Sequence, residues 1–352
     1  MGGPDLAQGL RLVLLGDGEW AVRTLDRLAA APPHRLVGVV ARSVPTSGAL
    51  VARSADLGVP CVQPADVNAP ELVAQLGAWR ADLGISVAYN QILRTRARQA
   101  FRHGCLNVHA GMLPEYRGRN VVNWALINGA TEIGITVHFI DDGIDTGDIV
   151  LQDVVPVGWT DTYGDVLSRV VDRVPELVDE AVQRMAGGRL ERRSQADLAG
   201  TYVGARRPGD EWLDWSDSSR NLHNKVRAIT RPGPGARSAI GDTPVTVWRA
   251  HWDPGWPCYV ATPGEIVGRA PGVGVLVKTG DSTLLLQEVE TSGCAPGVPT
   301  WRIGTRLDGR HAFELAALQS EVAELKARLA ALEGALGPPS ERSLAVTVAR
   351  GH

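Results

Sequence analysis

The feature that most constrains this chain is the alternation, over residues 11–91, of short apolar runs with amphipathic stretches. Leu12–Gly16, Leu36–Ala41 and Leu83–Ala88 are largely apolar runs of strand length, and Glu19–Ala31 carries helical periodicity between the first two. Runs without a polar alternation suit strands covered on both faces, and strands separated by helices pair parallel through crossovers. The expectation is an α/β, doubly wound, Rossmann-like N-terminal domain. Open α/β sheets bind ligands beyond the carboxyl ends of their strands, so the loops after Ala88 and after Phe139 are the expected ligand positions. Gly16-Asp17-Gly18 invites a dinucleotide reading, with the tolerated Ala21 in the third glycine position. Arg42, however, stands where a ribose-binding acid would end the second strand, which argues against it.

Asn107 and His109 are two residues apart in an apolar run, a spacing that puts both side chains on one face of a strand. Together an amide and an imidazole can donate a hydrogen bond and accept a proton at one reacting centre. Ile135, Val137 and Phe139 alternate as a second strand, and Asp142-Gly143 is a turn signal that would present Asp145 on a loop. Taken singly, such a histidine is more often structural, and an aspartate among glycines is usually a turn former. The combination is specific. Asn107-x-His109, Leu-Pro-x-Tyr-Arg-Gly (Leu113 to Gly118), Gly-Ile-Thr-Val-His (Gly134 to His138) and Asp-x-Gly-Ile-Asp-Thr-Gly-Asp (Asp141 to Asp148) together resemble the core of the formyltransferase family. Its members use N10-formyltetrahydrofolate as one-carbon donor.

The resemblance implies a catalytic trio of Asn107, His109 and Asp145. It places the pterin of the folate against Ala88, Tyr89, Asn90, Ile92, Ile140, Asp141 and Asp142, held largely through backbone groups. Tyr116, Arg117 and Gly118 would shape a substrate loop above the site, with Arg117 equally readable as a structural ion-pair partner. His138 reads either as a substrate contact or as a structural residue of its strand. In the chemistry expected, His109 is the general base for the attacking amine. Asn107 donates its N–H to the developing oxyanion, and Asp145 orients His109 and stabilises its cation. No grouping of His, Cys and carboxylates suggests a metal.

The length of 352 residues suits two domains. Four widely spaced cysteines, with no C-x-x-C, fit reduced, buried thiols rather than a disulfide framework or zinc site. With no membrane-length apolar run and no signal peptide, a cytoplasmic protein is expected. Asp161–Met185 reads as a long amphipathic helix, in which Pro175 marks a kink or the meeting of two helices, and Gly187–Gln195 as a polar connector. A second domain is expected from near Tyr202. Arg206 to Ser216 and Asn221 to Ala236 resemble its entry in longer formyltransferases. The short runs Pro244–Ala250, Gly264–Val267, Gly274–Lys278 and Thr283–Val289 fit a small oligonucleotide-binding-type (OB-like) β-barrel. Trp212, Trp215, Arg231, Trp248, Trp252 and Trp256 read as a second ligand patch or, alternatively, as barrel packing.

Leu315, Leu318, Val322, Leu325, Leu329, Leu332 and Leu336 recur at steps of three and four, the a/d seam of a coiled coil. Glu321 at g would face Lys326 at e of a partner helix, and Arg328 would face Glu333, so a parallel homo-oligomer is expected. A single amphipathic helix lying on the barrel is the alternative. The expected organisation is therefore a catalytic domain (10–195), an OB-like domain (200–308), a coiled-coil helix (312–337) and a tail (338–352).

For the acceptor, the net charge of −3 gives no footprint for nucleic acid. Ser43–Ala55, a strongly basic loop in the tRNA-formylating members, holds only Arg53, and Glu115 replaces a basic residue after Leu-Pro. Tyr116–Gly129, Val137–Asp141 and Arg227–Ala236 resemble enzymes that formylate nucleotide-linked amino sugars, which are therefore the expected substrates. The alternatives are methionyl-tRNA, and hydroxyornithine or an antibiotic precursor. A glycinamide ribonucleotide enzyme would need no second domain. A formyltetrahydrofolate hydrolase usually carries an N-terminal regulatory domain. A folate pocket retired to a scaffold is opposed by the intact trio.

Overall fold

The structure is a computed structural model that describes residues 9–44 and 47–336; the expected tail lies outside them. The chain forms two compact units. The first holds residues up to Glu211 together with Arg220–Ala236 and Trp248–Ala250; the second holds Trp212–Ser219, Arg237–Val247 and the chain from His251 onward.

The first unit opens with β1 (Arg11–Gly16), α1 (Gly18–Ala29), β2 (Arg35–Ala41), α2 (Gly48–Asp56) and β3 (Cys61–Val62). It continues through α3 (Pro70–Ala78), β4 (Leu83–Val87), α4 (Thr95–Gln99), β5 (Cys105–His109), β6 (Arg117–Gly118) and α5 (Val121–Ile127). β7 (Glu132–Phe139), β8 (Ile149–Pro156), α6 (Tyr163–Ala186) and β9 (Tyr202–Val203) follow, and most of α7 (Ser219–Ile229) belongs here too. Seven strands form one sheet in the order β3-β2-β1-β4-β5-β7-β8. β1 and β4 are buried at almost every position, as expected of strands covered on both faces. Val13 and Leu15 share a core cluster with Leu72 and Leu76 of α3, while α1 and α6 pack on each other.

The sheet departs from the expected parallel arrangement at its right-hand end. β7 pairs antiparallel with β5, and β8 antiparallel with β7. The segment after Phe139 therefore leaves from the end of the sheet where β5 begins, and reaches the ligand position by folding back over the sheet.

α6 is one continuous helix of 24 residues, not two meeting at Pro175. An interior proline costs a helix about 3 kcal/mol. Here the helix buries Val166, Val170, Val171, Val174, Leu177 and Val178, each worth about 1.5–3 kcal/mol. Its start is fixed by a capping box in which Thr162 Oγ accepts from Asp165 N–H and the Asp165 carboxylate accepts from Thr162 N–H.

The second unit contains β10 (Ala236–Ile240), β11 (Thr243–His251), β12 (Ile266–Ala270), β13 (Gly274–Lys278), β14 (Thr283–Thr291) and α8 (Arg310–Leu336), apart from the residues of β10 and β11 assigned above. Its strands form a separate sheet, β10-β11-β14-β13-β12, with antiparallel pairing along β12-β13-β14. Asp308 bridges Ala239 and Arg306 bridges Glu265, so one short segment touches both ends of this sheet. Trp215 is buried and donates to Ser238 Oγ at 3.0 Å, which is a packing role. Trp212 packs on Phe313, and Arg231 lies over Trp248 within the first unit. The four cysteines are free, but only Cys105 is buried; Cys61 is half-buried, and Cys258 and Cys294 are exposed. Among the described residues no helix is long and apolar enough to cross a membrane, and no group of three His, Cys, Asp or Glu could hold a metal.

Candidate active site

β5 places Asn107 and His109 on one face, as their spacing requires. β7 sets His138 directly opposite Asn107 and Thr136 opposite His109. The His138 ring is buried, with Nδ1 2.8 Å from Phe139 O and Nε2 3.1 Å from Asn107 Nδ2. A carbonyl only accepts, so Nδ1 carries the proton; Nε2 of the neutral ring then accepts from the Asn107 amide. This fixes which way the Asn107 amide points and leaves its second N–H uncommitted.

The loop from Ile140 to Asp148 brings Asp145 over this pair. Asp141 Oδ1 accepts from Gly143 N–H at 3.0 Å and from Thr146 Oγ at 2.7 Å, which closes the turn. A side chain at Gly147 would put its Cβ 1.9 Å from Phe139 O, so only glycine permits this close return. Asp145 itself sits in the left-handed region, at φ 54°. Its Oδ2 accepts from Gly118 N–H at 2.9 Å and lies 3.5 Å from His109 Nδ1; its Oδ1 lies 3.5 Å from His138 Nε2. Burial alone would raise the Asp145 pKa. The His138 contact, the charge of His109 and the Gly118 N–H outweigh it, and the carboxyl titrates below its usual range.

The other nitrogen of His109, Nε2, lies 2.7 Å from Tyr116 O and donates to it, so Nδ1 is the free, basic nitrogen. Burial lowers the His109 pKa below its ordinary value, against the opposing pull of Asp145 and the Tyr116 carbonyl. The imidazole is thus neutral at pH 7.

A cavity of about 170 Å³ opens over these groups, lined by Ser86, Tyr89–Leu93, Asn107, Gly118, Arg119, His138, Ile140, Asp141 and Gly143–Asp145. Of the expected folate contacts, Tyr89, Asn90, Ile92, Ile140 and Asp141 line it. Ala88 borders an adjoining cavity with Arg42, Arg119 and Asn120. Asp142 does not line the cavity; it is exposed and ion-paired with Arg98. Of the expected substrate contacts, Gly118 and His138 line the cavity. Tyr116 contributes its carbonyl to His109 and borders a different cavity. Arg117 is buried, donates to Gln195 Oε1 at 2.8 Å and lies over the Tyr202 ring, a structural setting. His109 stands behind Asp145 and is not part of the cavity wall.

Two residues escaped the sequence analysis. Gln195 is 3% exposed and donates to Asp145 O at 3.1 Å and Gly147 O at 2.6 Å, clamping the Ile140–Asp148 loop. Nothing local distinguishes it within a polar connector. Arg119 borders both the main and the adjoining cavity, and the Arg-Gly-Arg run of residues 117–119 was the available signal.

The formyl transferase pattern matches residues 10–182, and the formyl transferase C-terminal domain pattern matches residues 206–297. A methionyl-tRNA formyltransferase of Geobacter metallireducens is 32% identical over 298 residues, spanning 81% of this chain and 92% of its own. The crystal structure of WlaRD, a sugar 3N-formyl transferase in the presence of dTDP and 5-N-formyl-THF, aligns with a TM-score of 0.61 at 16% identity, over 81% of this chain and 99% of that one. The Helicobacter canadensis N-formyltransferase, in complex with folinic acid and dTDP-3-aminofucose, aligns with a TM-score of 0.57 at 18% identity, over 79% and 99% of the two chains. These two structural likenesses speak to the fold.

Proposed function

The chain belongs to the formyl transferase family, and we propose that its trio moves a formyl group to the primary amine of an acceptor. The donor is N10-formyltetrahydrofolate, the co-substrate of the family. The cavity suits a flat polar ring. Ile92, Leu93, Ile140 and Ile144 offer apolar walls, and the Tyr89 hydroxyl is buried with no partner among the described residues.

Amine attack on the formyl carbon requires a site for the amine's proton, hydrogen-bond donors for the carbonyl oxygen, and a proton for the leaving nitrogen. The uncommitted N–H of Asn107 serves the oxygen, a contribution of about 2.7–4 kcal/mol in comparable sites. Asp145, at the cavity wall, receives the amine's proton and relays it to Nδ1 of the neutral His109 behind it. The imidazolium so formed is held between Asp145 and the Tyr116 carbonyl, and the same route returns the proton to the leaving nitrogen. The observation that carries this reading is the convergence of Asn107, His138, Asp145 and His109, with Asn107 hydrogen-bonded to His138 and the Asp145 carboxylate 3.5 Å from a ring nitrogen of each histidine.

For the acceptor, the relationship to methionyl-tRNA formyltransferases across 81% of the chain makes methionyl-tRNA the better supported reading. It displaces the amino sugar from the first place that sequence alone gave it. The nucleotide-linked amino sugar is kept as the second reading, on the single basic residue in Ser43–Ala55 and the net charge of −3. A protein that neutralises many phosphates carries a basic stripe. Arg119, whose guanidinium has no partner among the described residues, suits an acceptor phosphate in either case. The OB-like barrel is proposed on the same footing, from the segment that bridges both ends of the second sheet, and so is a cytoplasmic location.

Turnover of N10-formyltetrahydrofolate with methionyl-tRNA, with UDP- and dTDP-linked amino sugars, with hydroxyornithine and with no acceptor decides between these. Formylation of the tRNA alone supports the first reading, and of a sugar nucleotide alone the second. Asn107→Ala should lower kcat by about 10²–10³-fold on the true acceptor. Undiminished turnover in that variant would overturn the assignment of the trio.

A further inference from the structure

α8 leaves one apolar line uncovered. Leu315, Leu318, Val322, Leu325, Leu329 and Leu332 are each 48–62% exposed, along a helix of 27 residues. α8 lies beyond residues 10–182 and 206–297, which the family patterns match. Near its start Phe313 packs on Trp212; the line of leucines begins after that contact.

The shape of the line selects its occupant. A helix that lies on a globular core carries an apolar face at least about 100° wide, whereas a strict a/d line is the narrower seam of a coiled coil. Here the flanking e and g positions hold Gln319, Lys326, Glu314, Glu321 and Arg328, which docking against a core would bury. A membrane surface calls for a polar face rich in Lys and Arg. α8 instead has three basic residues (Arg310, Lys326, Arg328) against four acidic ones (Glu314, Glu321, Glu324, Glu333). A second α8 meets every requirement. In a parallel pair, g of one helix faces the following e of the other, so Glu321 meets Lys326, a contact made twice by symmetry. Leucine at every d position and Val322 at a favour two strands over three or four.

We propose that α8 joins α8 of a second copy of this chain in a parallel, in-register, two-stranded coiled coil. The pairing stands whether or not the formyl-transfer reading does.

Sedimentation equilibrium of the full chain at micromolar concentration tests it. The expected mass is twice the 37.5 kDa of one chain, and Leu318→Lys with Leu325→Lys should return it to one chain mass. Both leucines are exposed, so the thermal unfolding of the remainder should not move, which separates lost pairing from lost folding. In an antiparallel pair e faces e, and Lys326 would meet Gln319 rather than Glu321. Lys326→Glu should therefore weaken a parallel dimer by about tenfold, and adding Glu321→Lys should restore it. A monomeric wild type, a dimer indifferent to the leucine substitutions, a trimer, or a dimer indifferent to Lys326→Glu would each overturn the proposal.

Discussion

His109 owes its usefulness to where it is buried. A solvated imidazole titrates near 6.5, and burial holds this one below that value, so it stays free to take a proton throughout the neutral range. The limb of the kcat/KM profile set by His109 should lie on the acid side of pH 6.5, separate from the limb set by ionisation of the acceptor amine itself; an enzyme limb that stays above 6.5 with acceptors of different amine pKa would contradict the burial argument. The same depression acts on stability. Below 6.5 the unfolded chain binds a proton that folded His109 refuses, so stability is complete above 6.5 and erodes as pH falls toward the lower folded value. Asp145, also depressed but from 3.8, contributes stability above 3.8 that is lost only as pH falls through its folded value. His109→Gln should therefore flatten the decline in Tm between pH 6.5 and about 5 while leaving the steeper decline below 3.8. An unchanged slope in the upper window would mean that His109 is not the neutral buried group. For Asp145, Asn is the cleaner probe than Ala, because Asn tolerates the left-handed backbone at φ 54°.

The loop that carries Asp145 is held from outside by Gly118 N–H, by Arg98 and, at the carbonyls of Asp145 and Gly147, by the Gln195 amide. Gln195→Ala would leave Asp145 O, Gly147 O and Arg117 Nη2 without their partner, at about 1–3 kcal/mol for each group left buried and unpaired. A fall in kcat of about 10- to 100-fold with KM for the acceptor little changed should follow, and Gln195→Glu should not rescue it, because a carboxylate cannot donate to two carbonyls. Equal effects on kcat and KM would point to general loosening instead. Gln195 also marks where sequence reading stops. The shared strand face of Asn107 and His109 and the loop position of Asp145 were legible because strand alternation and a turn signal are local codes, each residing within a few residues of the group it positions. Their roles as a trio came from the family resemblance. Gln195 acts through partners up to 78 positions away, so no window of sequence contains its reason. For the opposite reason Pro175 does not divide α6 in two: its local rule is sound, but the buried face of the helix outweighs it. β10, Ala-Arg-Ser-Ala-Ile, has too little apolar alternation to be seen as a strand. The reversal at β7 was invisible because strand direction is set by connection geometry, and both directions bury the same side chains.

Between the two units the chain passes back and forth, and α7 is central to the first of them. Asn123 Nδ2 donates to Ala228 O at 2.6 Å, His223 stacks on Trp159 at 4.6 Å, and Arg227 Nη1 donates to Gly158 O at 2.9 Å. A fragment ending at Glu211 contains the whole trio and the whole seven-stranded sheet, yet lacks these contacts. With about 1–3 kcal/mol for each buried group left unpaired against a usual total of 5–15 kcal/mol, its Tm should lie roughly 10 °C or more below that of the full chain. Melting within a few degrees would show α7 to be dispensable. The interleaving has a consequence in time as well as in space. On the ribosome, at roughly 5–20 residues per second, the interval between residue 211 and the end of α7 at residue 229 lasts about 1–4 s. For that long every strand of the catalytic sheet has been synthesised while the place of α7 stands open, and this is the period in which a nascent chain of this design has most need of a chaperone.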